Sequence, residues 1–536
     1  MKSSASVAIL GPPSPLQVAA FRALWIANFA SAIGTWMADV GESWLMTTLS
    51  HSPLVVALAT TAESLPIFIF ALPAGALADV VDRRKLLLIA QTWMLCAALL
   101  MAAMTWGDGM TASRLLLLTF VLSIGTAFNG PAWQAVPQEL VPAASLPQAI
   151  TLNGIAVNAA RVIGPAIGGL VVATAGPAPV FALNALSFIG TVVVLFLWKR
   201  EVRTSSVPAE RVVQAIRSGL RYARHEPALQ AVLVRTGIFI FFGSAMWALL
   251  PSLSRQLGRG SSGYGLLLAS LGAGAVAGGT LLPRVRSRIR TDRLVTVATV
   301  VFAAVCVVLG TVSVFPVLCV VMVFGGAAWI ALMSSFNVSA QRATSAWVKG
   351  RALAVYLLVF QGGMAAGAAA LGAVAAASTV ERAFAIAGFG TLTTLIPAWW
   401  FRLESLGVDV TPSSHWPEPV VAVEARADDG PVMVTVHYQV IPGMEGGFLA
   451  AMQPMERVRR RDGALEWFVF RDVERPGTFV EMFLVESWGE HLRQHSRSTL
   501  ADKAVSERID PFLVSGSKRV IAHFVEAETM LRGEPV

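Results

Sequence analysis

The chain has 536 residues, of which 55% are hydrophobic and only 14% charged, with a mean hydropathy of +0.64. Soluble globular domains carry about 25% charged residues, so this composition excludes an ordinary soluble protein and implies a chain built around membrane spans. The formal net charge of +8 does not imply nucleic acid as a partner, because the basic residues cluster beside apolar segments, as those of cytoplasmic loops do. Cys96, Cys306 and Cys319 all lie inside apolar runs, which fits packed thiols and no disulfide framework. Residues 1–20 hold one lysine and no compact apolar core followed by a cleavage site, so no secretory leader is expected.

About 20 apolar residues in a helix cross the roughly 30 Å of bilayer hydrocarbon. On that ruler the sequence predicts twelve spans, near 22–48, 54–78, 86–107, 113–137, 148–174, 178–198, 230–253, 262–283, 293–313, 315–337, 350–376 and 381–401. Turns as short as Gly176-Pro177 make neighbouring spans antiparallel hairpins. With the N-terminus inside, the inside loops collect Arg83, Arg84 and Lys85, seven basic residues between Lys199 and Arg224, five arginines from Arg284 to Arg293, and Arg342, Lys349, Arg351 and Arg402. The outside loops keep only Arg114, Arg255, Arg259 and Arg382. The positive-inside rule therefore predicts both termini in the cytoplasm.

Ionisable side chains at membrane depth are functional candidates by default. Asp39 in the first span and Glu63 in the second fall at similar depth in the outer half of the bilayer. Arg161 lies near the midplane of the fifth span, about 20 Å in at 1.5 Å per residue. Asp39 or Glu63 is expected to carry a driving proton, with Arg161 as the counter-charge that tunes it; a static ion pair is the competing reading. Glu42 sits closer to the interface and reads as a solvated end, and Arg235 reads as a snorkelling arginine. Asn28, Trp36, Asn158 and Gln361 are candidates to line a substrate path, although each alone suits an interhelical hydrogen bond equally. The tryptophans of the spans, Trp36, Trp247 and Trp329 among them, suit an amphipathic or aromatic cargo better than a sugar.

The two halves repeat at an offset of 203 residues. Gly75 at the exit of span two matches Gly278 at the exit of span eight, and Gly164 in AARVIGPAIGGL (159–170) stands opposite Gly367 in FQGGMAAGAAAL (360–371). Six spans, a basic linker and six more suggest two related bundles around a central path with its site near the midplane. The linker itself reads as a surface helix.

The stretch GALADVVDRRKLLL (75–88) resembles the loop motif between the second and third helices of the major facilitator superfamily, through Gly75, Leu77, Asp79, Arg83, Arg84 and Lys85. Val80 and Asp82 depart from the pattern, where arginine and glycine are common. RVIGPAIGG (161–169) resembles the fifth-helix glycine–proline motif of proton-coupled exporters. The resemblance covers residues 20–401, and the first and eleventh spans are similar to the bacterial branch that contains the enterobactin exporter and macrolide-efflux proteins. It implies a conformational latch at Gly75, Asp79, Arg83, Arg84 and Lys85, with Asp79 set against the helix start near Gly350 and Gly75 permitting close helix approach. It also implies that Arg161, Gly164, Pro165, Gly168 and Gly169 let the fifth helix pack on the other half and close a leak; plain close packing is the competing reading.

After Arg402 the chain turns polar, and five of its seven histidines lie there. Residues 402–430 read as a linker. From Pro431, VMVTVHYQVI, a helix, ALEWFVFRD, GTFVEMFLVES, a helical region through Phe512 and SKRVIAHFVEA give the order βαββαβ of a ferredoxin-like domain. That order and the stretch ESWGEHLRQH resemble the antibiotic-biosynthesis-monooxygenase type, a small barrel-forming dimer. Members with oxygenase activity commonly use an asparagine, and residues 431–536 contain none. His491 and His495, spaced i, i+4, offer two metal donors but no third, and read as a solvated helix face. The tail is expected to sense a ligand or to dimerise, not to catalyse.

The expected architecture is an all-α membrane protein of twelve helices in two six-helix bundles (1–198 and 230–401), joined by a cytoplasmic linker (199–229). A second linker (402–430) leads to the α+β tail (431–536). The expected function is proton-coupled export of a small amphipathic molecule, drug or siderophore-like, across a bacterial inner membrane by alternating access. Its expected partners are that cargo, protons and membrane lipid, with no cofactor, metal or nucleic acid. An importer of the same architecture and a membrane-tethered oxygenase are the rival readings.

Overall fold

The protein is described here as a computed structural model, which places residues 14–198, 212–403, 411–413, 416 and 425–527. It divides into two compact units. One comprises Met1–Glu210, Arg235–Phe336 and Leu357–Trp399; the other comprises Arg211–Val234, Asn337–Tyr356 and Trp400–Val536.

The apolar runs become helices for the reason they were legible: in hydrocarbon every backbone donor and acceptor must be satisfied within the segment. The first half holds α1 (Ala19–Leu49), α2 (Pro53–Val80), α3 (Arg83–Trp106), α4 (Ala112–Leu140), α5 (Leu146–Ala175) and α6 (Ala178–Leu197). α7 (Val212–His225) lies in the linker. The second half holds α8 (Pro227–Gly243), α9 (Ala245–Gln256), α10 (Gly260–Arg286), α11 (Thr291–Leu309), α12 (Phe315–Arg342), α13 (Lys349–Ala377) and α14 (Val380–Leu392). Among the described residues ten segments are long and apolar enough to cross a membrane, with α8 and α9 forming one span. The other two of the twelve are α1, 31 residues long but diluted by Asp39, Glu42 and small polar residues, and the segment that opens with α14. That last segment was expected to be helical to residue 401. Beyond Leu392 it is instead two 3-10 turns, Thr393–Leu395 and Pro397–Trp399, since Pro397 lacks the N–H of a continuing helix and crowds the carbonyl four residues earlier. The α5–α6 hairpin turns where expected: Gly176 takes φ 80°, a left-handed conformation open to glycine, and Pro177 starts the next helix.

Within the first half α2 packs on α4, α1 on α5 and α6, and α3 on α4 and α6. The halves meet through α5 against α10 and through α2 against α13, where Thr61 donates to the Ala365 carbonyl at 3.0 Å.

In the second unit, β1 (Val432–Gln439), α15 (Glu445–Asp462), β2 (Ala464–Arg471), β3 (Thr478–Val485), α16 (Trp488–Arg497), α17 (Leu500–Glu507) and β4 (Val520–Val525) form an antiparallel sheet of order β2-β3-β1-β4 with helices on one face. This is the ferredoxin-like arrangement. The expected single helical region breaks at Ser498, and Thr499 and Asp502 start α17 with a reciprocal capping box. Alternation sorts the strands: Val432, Val434, Val436, Phe479, Phe483 and Val485 are buried with Phe448 and Met452 of α15. The opposite face leaves Phe468, Phe470, Val520 and Phe524 between 44% and 60% exposed. An ion pair lies inside this core. Glu481 of β3 accepts from Arg459 Nε at 2.8 Å, Tyr438 Oη at 2.8 Å and Trp467 Nε1 at 3.0 Å. Burial alone pushes its carboxyl up, but Arg459 and these donors hold it below the ordinary carboxylate range.

The linker helix is not a surface helix. α7 packs on α15, and Tyr222 is fully buried, its hydroxyl donating to the Ala343 carbonyl at 2.9 Å and accepting from Ser345 N at 3.1 Å. Burial and the nearby Glu226 push the Tyr222 phenol up to about 12. Arg461 of α15 reaches Glu226 at 3.2 Å, Asp462 at 2.9 Å and Asp502 at 2.7 Å. Glu490 of α16 pairs with Arg497 at 2.6 Å and with Arg221 of α7 at 2.8 Å, while Arg497 lies 4.5 Å from the Trp347 ring centroid. The tail and the linker thus share one buried ionic network.

Candidate functional site

A pocket lies between the two halves of the first unit. α1 supplies Trp36, α5 supplies Arg161 and Pro165, α9 supplies Trp247, α10 supplies Leu268, Leu271, Gly272 and Ala275, and α12 supplies Trp329. The three indoles form a continuous wall: Trp36 and Trp247 are 6.2 Å apart by ring centroid, and Trp247 and Trp329 are 5.6 Å apart, edge to face. The Arg161 guanidinium lies 5.4 Å from the Trp36 centroid, within cation–π range. Among the described residues Arg161 has no carboxylate partner, so the structure does not bring it together with Asp39 or Glu63.

Asp39 follows Trp36 by three residues, about 4.5 Å along the helix, and Glu42 follows by three more. Asp39, Glu42 and Glu63 lie within electrostatic reach of one another and of Tyr264 on α10. None of the three is ion-paired among the described residues. Glu42, read from sequence as a solvated end, therefore joins the carboxylate group; hydropathy along one helix could not show that α2 and α10 close over it.

The fifth-helix glycines mark three close approaches. A methyl at Gly164 would collide with the Trp36 Cβ, one at Gly168 would sit 2.9 Å from the Met37 Cα, and one at Gly169 would sit 2.8 Å from the Gly265 Cα. α5 is thereby tight against α1 in its own half and against α10 in the other, and it runs unbroken through Pro165. At the α2–α3 elbow Asp82 caps α3, accepting from Lys85 N at 3.0 Å. Arg83 pairs with Glu139 of α4 at 2.7 Å, and Arg84 donates to the Leu195 and Phe196 carbonyls at the end of α6. Lys85 is exposed. Gly75 departs from expectation, because a methyl there would meet nothing within 4 Å. The side chains of Asp79 and Asn158 lie outside the described residues. Asn28 and Gln361 are half-buried, away from the residues that line the pocket. Arg235 does not snorkel: it is fully buried and pairs with Asp292 at 2.5 Å.

In the tail, His491 is fully buried rather than solvated. Its Nε2 is 3.3 Å from that of His495, and its ring centroid lies 4.7 Å from that of His523. Burial, then the two neighbouring imidazoles, lower the His491 pKa to about 3. His523 was not paired with the helix histidines from sequence, because β4 brings it in from 28 residues beyond His495. Among the described residues, no group of three His, Cys, Asp or Glu side chains is placed to hold a metal ion.

Residues 10–530 match the transmembrane secretion effector family. The chain belongs to that family, within the major facilitator superfamily. This transporter is 27% identical to the enterobactin exporter EntS of Citrobacter koseri, over 69% of its own length and 89% of that protein. It is 20% identical to the staphyloferrin A transporter of Staphylococcus aureus, over 73% and 98%. Its fold matches a solved bacterial homolog of the human lysosomal transporter Spinster in an inward-facing, unoccupied conformation, with a TM-score of 0.57 at 13% identity over 73% of this chain and 97% of that one. The protein is a multi-pass membrane transporter and not an enzyme.

Proposed function

We propose that this transporter exports a small amphipathic molecule across the bacterial inner membrane in exchange for protons, with both termini and the tail in the cytoplasm. The observation that carries the reading is the carboxylate group Asp39, Glu42 and Glu63, held in the spans without a basic partner among the described residues, one turn from an aromatic pocket. Like charges in a low dielectric cannot all stay ionised, so such a group takes up a proton readily and releases it when the site opens. The relatives whose names mention enterobactin and staphyloferrin A support a siderophore-like cargo. The α5–α10 glycine contact serves as a closed gate between the halves, and the α2–α3 elbow, with Asp79, serves as the latch of the opposite state. The apolar open face of the tail sheet pairs with a second copy.

The test is pH inside inverted vesicles during addition of candidate siderophores and drugs, with Asp39→Asn, Glu42→Gln and Glu63→Gln beside the wild type. Substrate-triggered proton release, abolished by one or more of these variants, is the expected result. Cargo movement with no proton signal overturns the coupling.

A further inference from the structure

The polar side chains that line the tryptophan-walled pocket, Arg161 and three indoles, are all donors. Arg161 carries five N–H groups, a permanent positive charge and, among the described residues, no ion pair; it rests against the Trp36 ring. Trp247 Nε1 is buried with no hydrogen-bond partner. Buried donors without acceptors are costly, and native structures keep them where a ligand or an ordered water completes the set. The remaining lining consists of indole faces, two leucines, a proline and small residues. This wall lacks the acceptors a sugar requires, and its fixed cation repels a cationic drug.

From these observations we infer that the pocket binds an aromatic carboxylate. The planar ring lies against Trp36, Trp247 and Trp329, and the carboxylate receives hydrogen bonds from the Arg161 guanidinium and the Trp247 indole N–H. The inference rests on the transport reading above and narrows its cargo to aromatic anions, or to molecules that carry one as a group. Trp247 is a specificity residue under this reading, because among the lining indoles its N–H is the one buried without a partner, beside a face on which a ring can stack.

The experiment is equilibrium binding of 2-naphthoate to the purified full chain in detergent, with 2-naphthylmethanol as the uncharged analogue and cyclohexanecarboxylate as the non-aromatic one. Saturable naphthoate binding is expected, weakened roughly 10- to 150-fold by Arg161→Gln, the range for losing a charge-assisted hydrogen bond. Trp247→Phe, which keeps a ring and removes the N–H, should weaken naphthoate and leave 2-naphthylmethanol unchanged. Arg161→Lys retains the charge and serves if the glutamine variant does not fold. Equal affinity for naphthoate and 2-naphthylmethanol, or naphthoate binding indifferent to Arg161→Gln and Trp247→Phe, overturns the inference. Vesicles that release protons on adding the cation ethidium while the protein ignores naphthoate would leave export standing and remove this site. Arg161-dependent naphthoate binding without transport of any compound would do the reverse.

Discussion

Replacing Arg461 by methionine separates a structural ionic network from an incidental one. The Arg461 side chain is 7% exposed and touches Glu226, Asp462 and Asp502 at 2.7–3.2 Å. Methionine fills similar volume but leaves Glu226, Asp462 and Asp502 without the cation that all three touch. Breaking a buried pair by removing one partner costs about 3–5 kcal/mol, a large share of the roughly 5–15 kcal/mol that holds a typical domain. That cost corresponds to a roughly 150- to 5,000-fold increase in the opening equilibrium of the tail and linker helix. Hydrogen exchange read by mass spectrometry on the full chain should show it as lost protection in α7 and α15 together, with the transmembrane peptides unaffected. The sign of the pH response is a second check. Burial already raises the carboxyls of Glu226 and Asp462, and without Arg461 they protonate more readily still, so the penalty should shrink as pH falls toward 5. Unchanged protection in α7 and α15 would refute the reasoning.

Gly169→Val adds a branched side chain where even a methyl sits 2.8 Å from the Gly265 Cα. Helix separation should cost about 1–3 kcal/mol and shift the balance of states roughly 5- to 150-fold, seen as reduced transport at normal expression. Gly75→Ala should be silent in the same assay, and a loss there would reveal a state in which α2 is crowded. The tail should weaken in acid. His491 titrates near 3 when folded against 6.5 in its ordinary state, so the unfolded chain binds the extra proton and stability falls as pH drops below about 6.5, by up to roughly 1.4 kcal/mol per unit. His495, His523 and Arg459 face the same ring and act in the same direction. His491→Phe should flatten that slope between pH 6.5 and 5 in thermal melts. Phe468→Glu with Phe470→Glu should convert a dimeric particle to a monomer in light scattering if the open sheet face is the pairing surface.

The twelve spans and the strand order of the tail could be read from the sequence because each is set by a local rhythm: an apolar run for a span, alternation for a strand. Trp36 and Arg161 were legible for a related reason, being an aromatic and a charge at membrane depth. The features that escaped depend on partners far along the chain. Glu226 and Arg461 are 235 residues apart, and no pattern near either reveals the pair. Arg235 looked free to snorkel because Asp292 lies on another helix, and the two helix histidines looked solvated because β4 was not yet beside them. Gly75 erred the other way: a glycine within a motif suggested crowding that its surroundings do not have.

The contacts of the linker with the tail also bear on modularity. The enterobactin-exporter and staphyloferrin-transporter relatives align with about 70% of this chain, which invites treatment of the tail as a detachable accessory. Yet Arg221 and Glu226, which precede the second bundle in sequence, pair with Glu490 and Arg461 of the tail, and Tyr222 is buried against the 343–345 turn. Deleting the tail would strip Arg221 and Glu226 of these partners, so a truncated chain is a damaged protein rather than a minimal one. A fusion that moves the tail to another transporter would have to carry this linker helix with it.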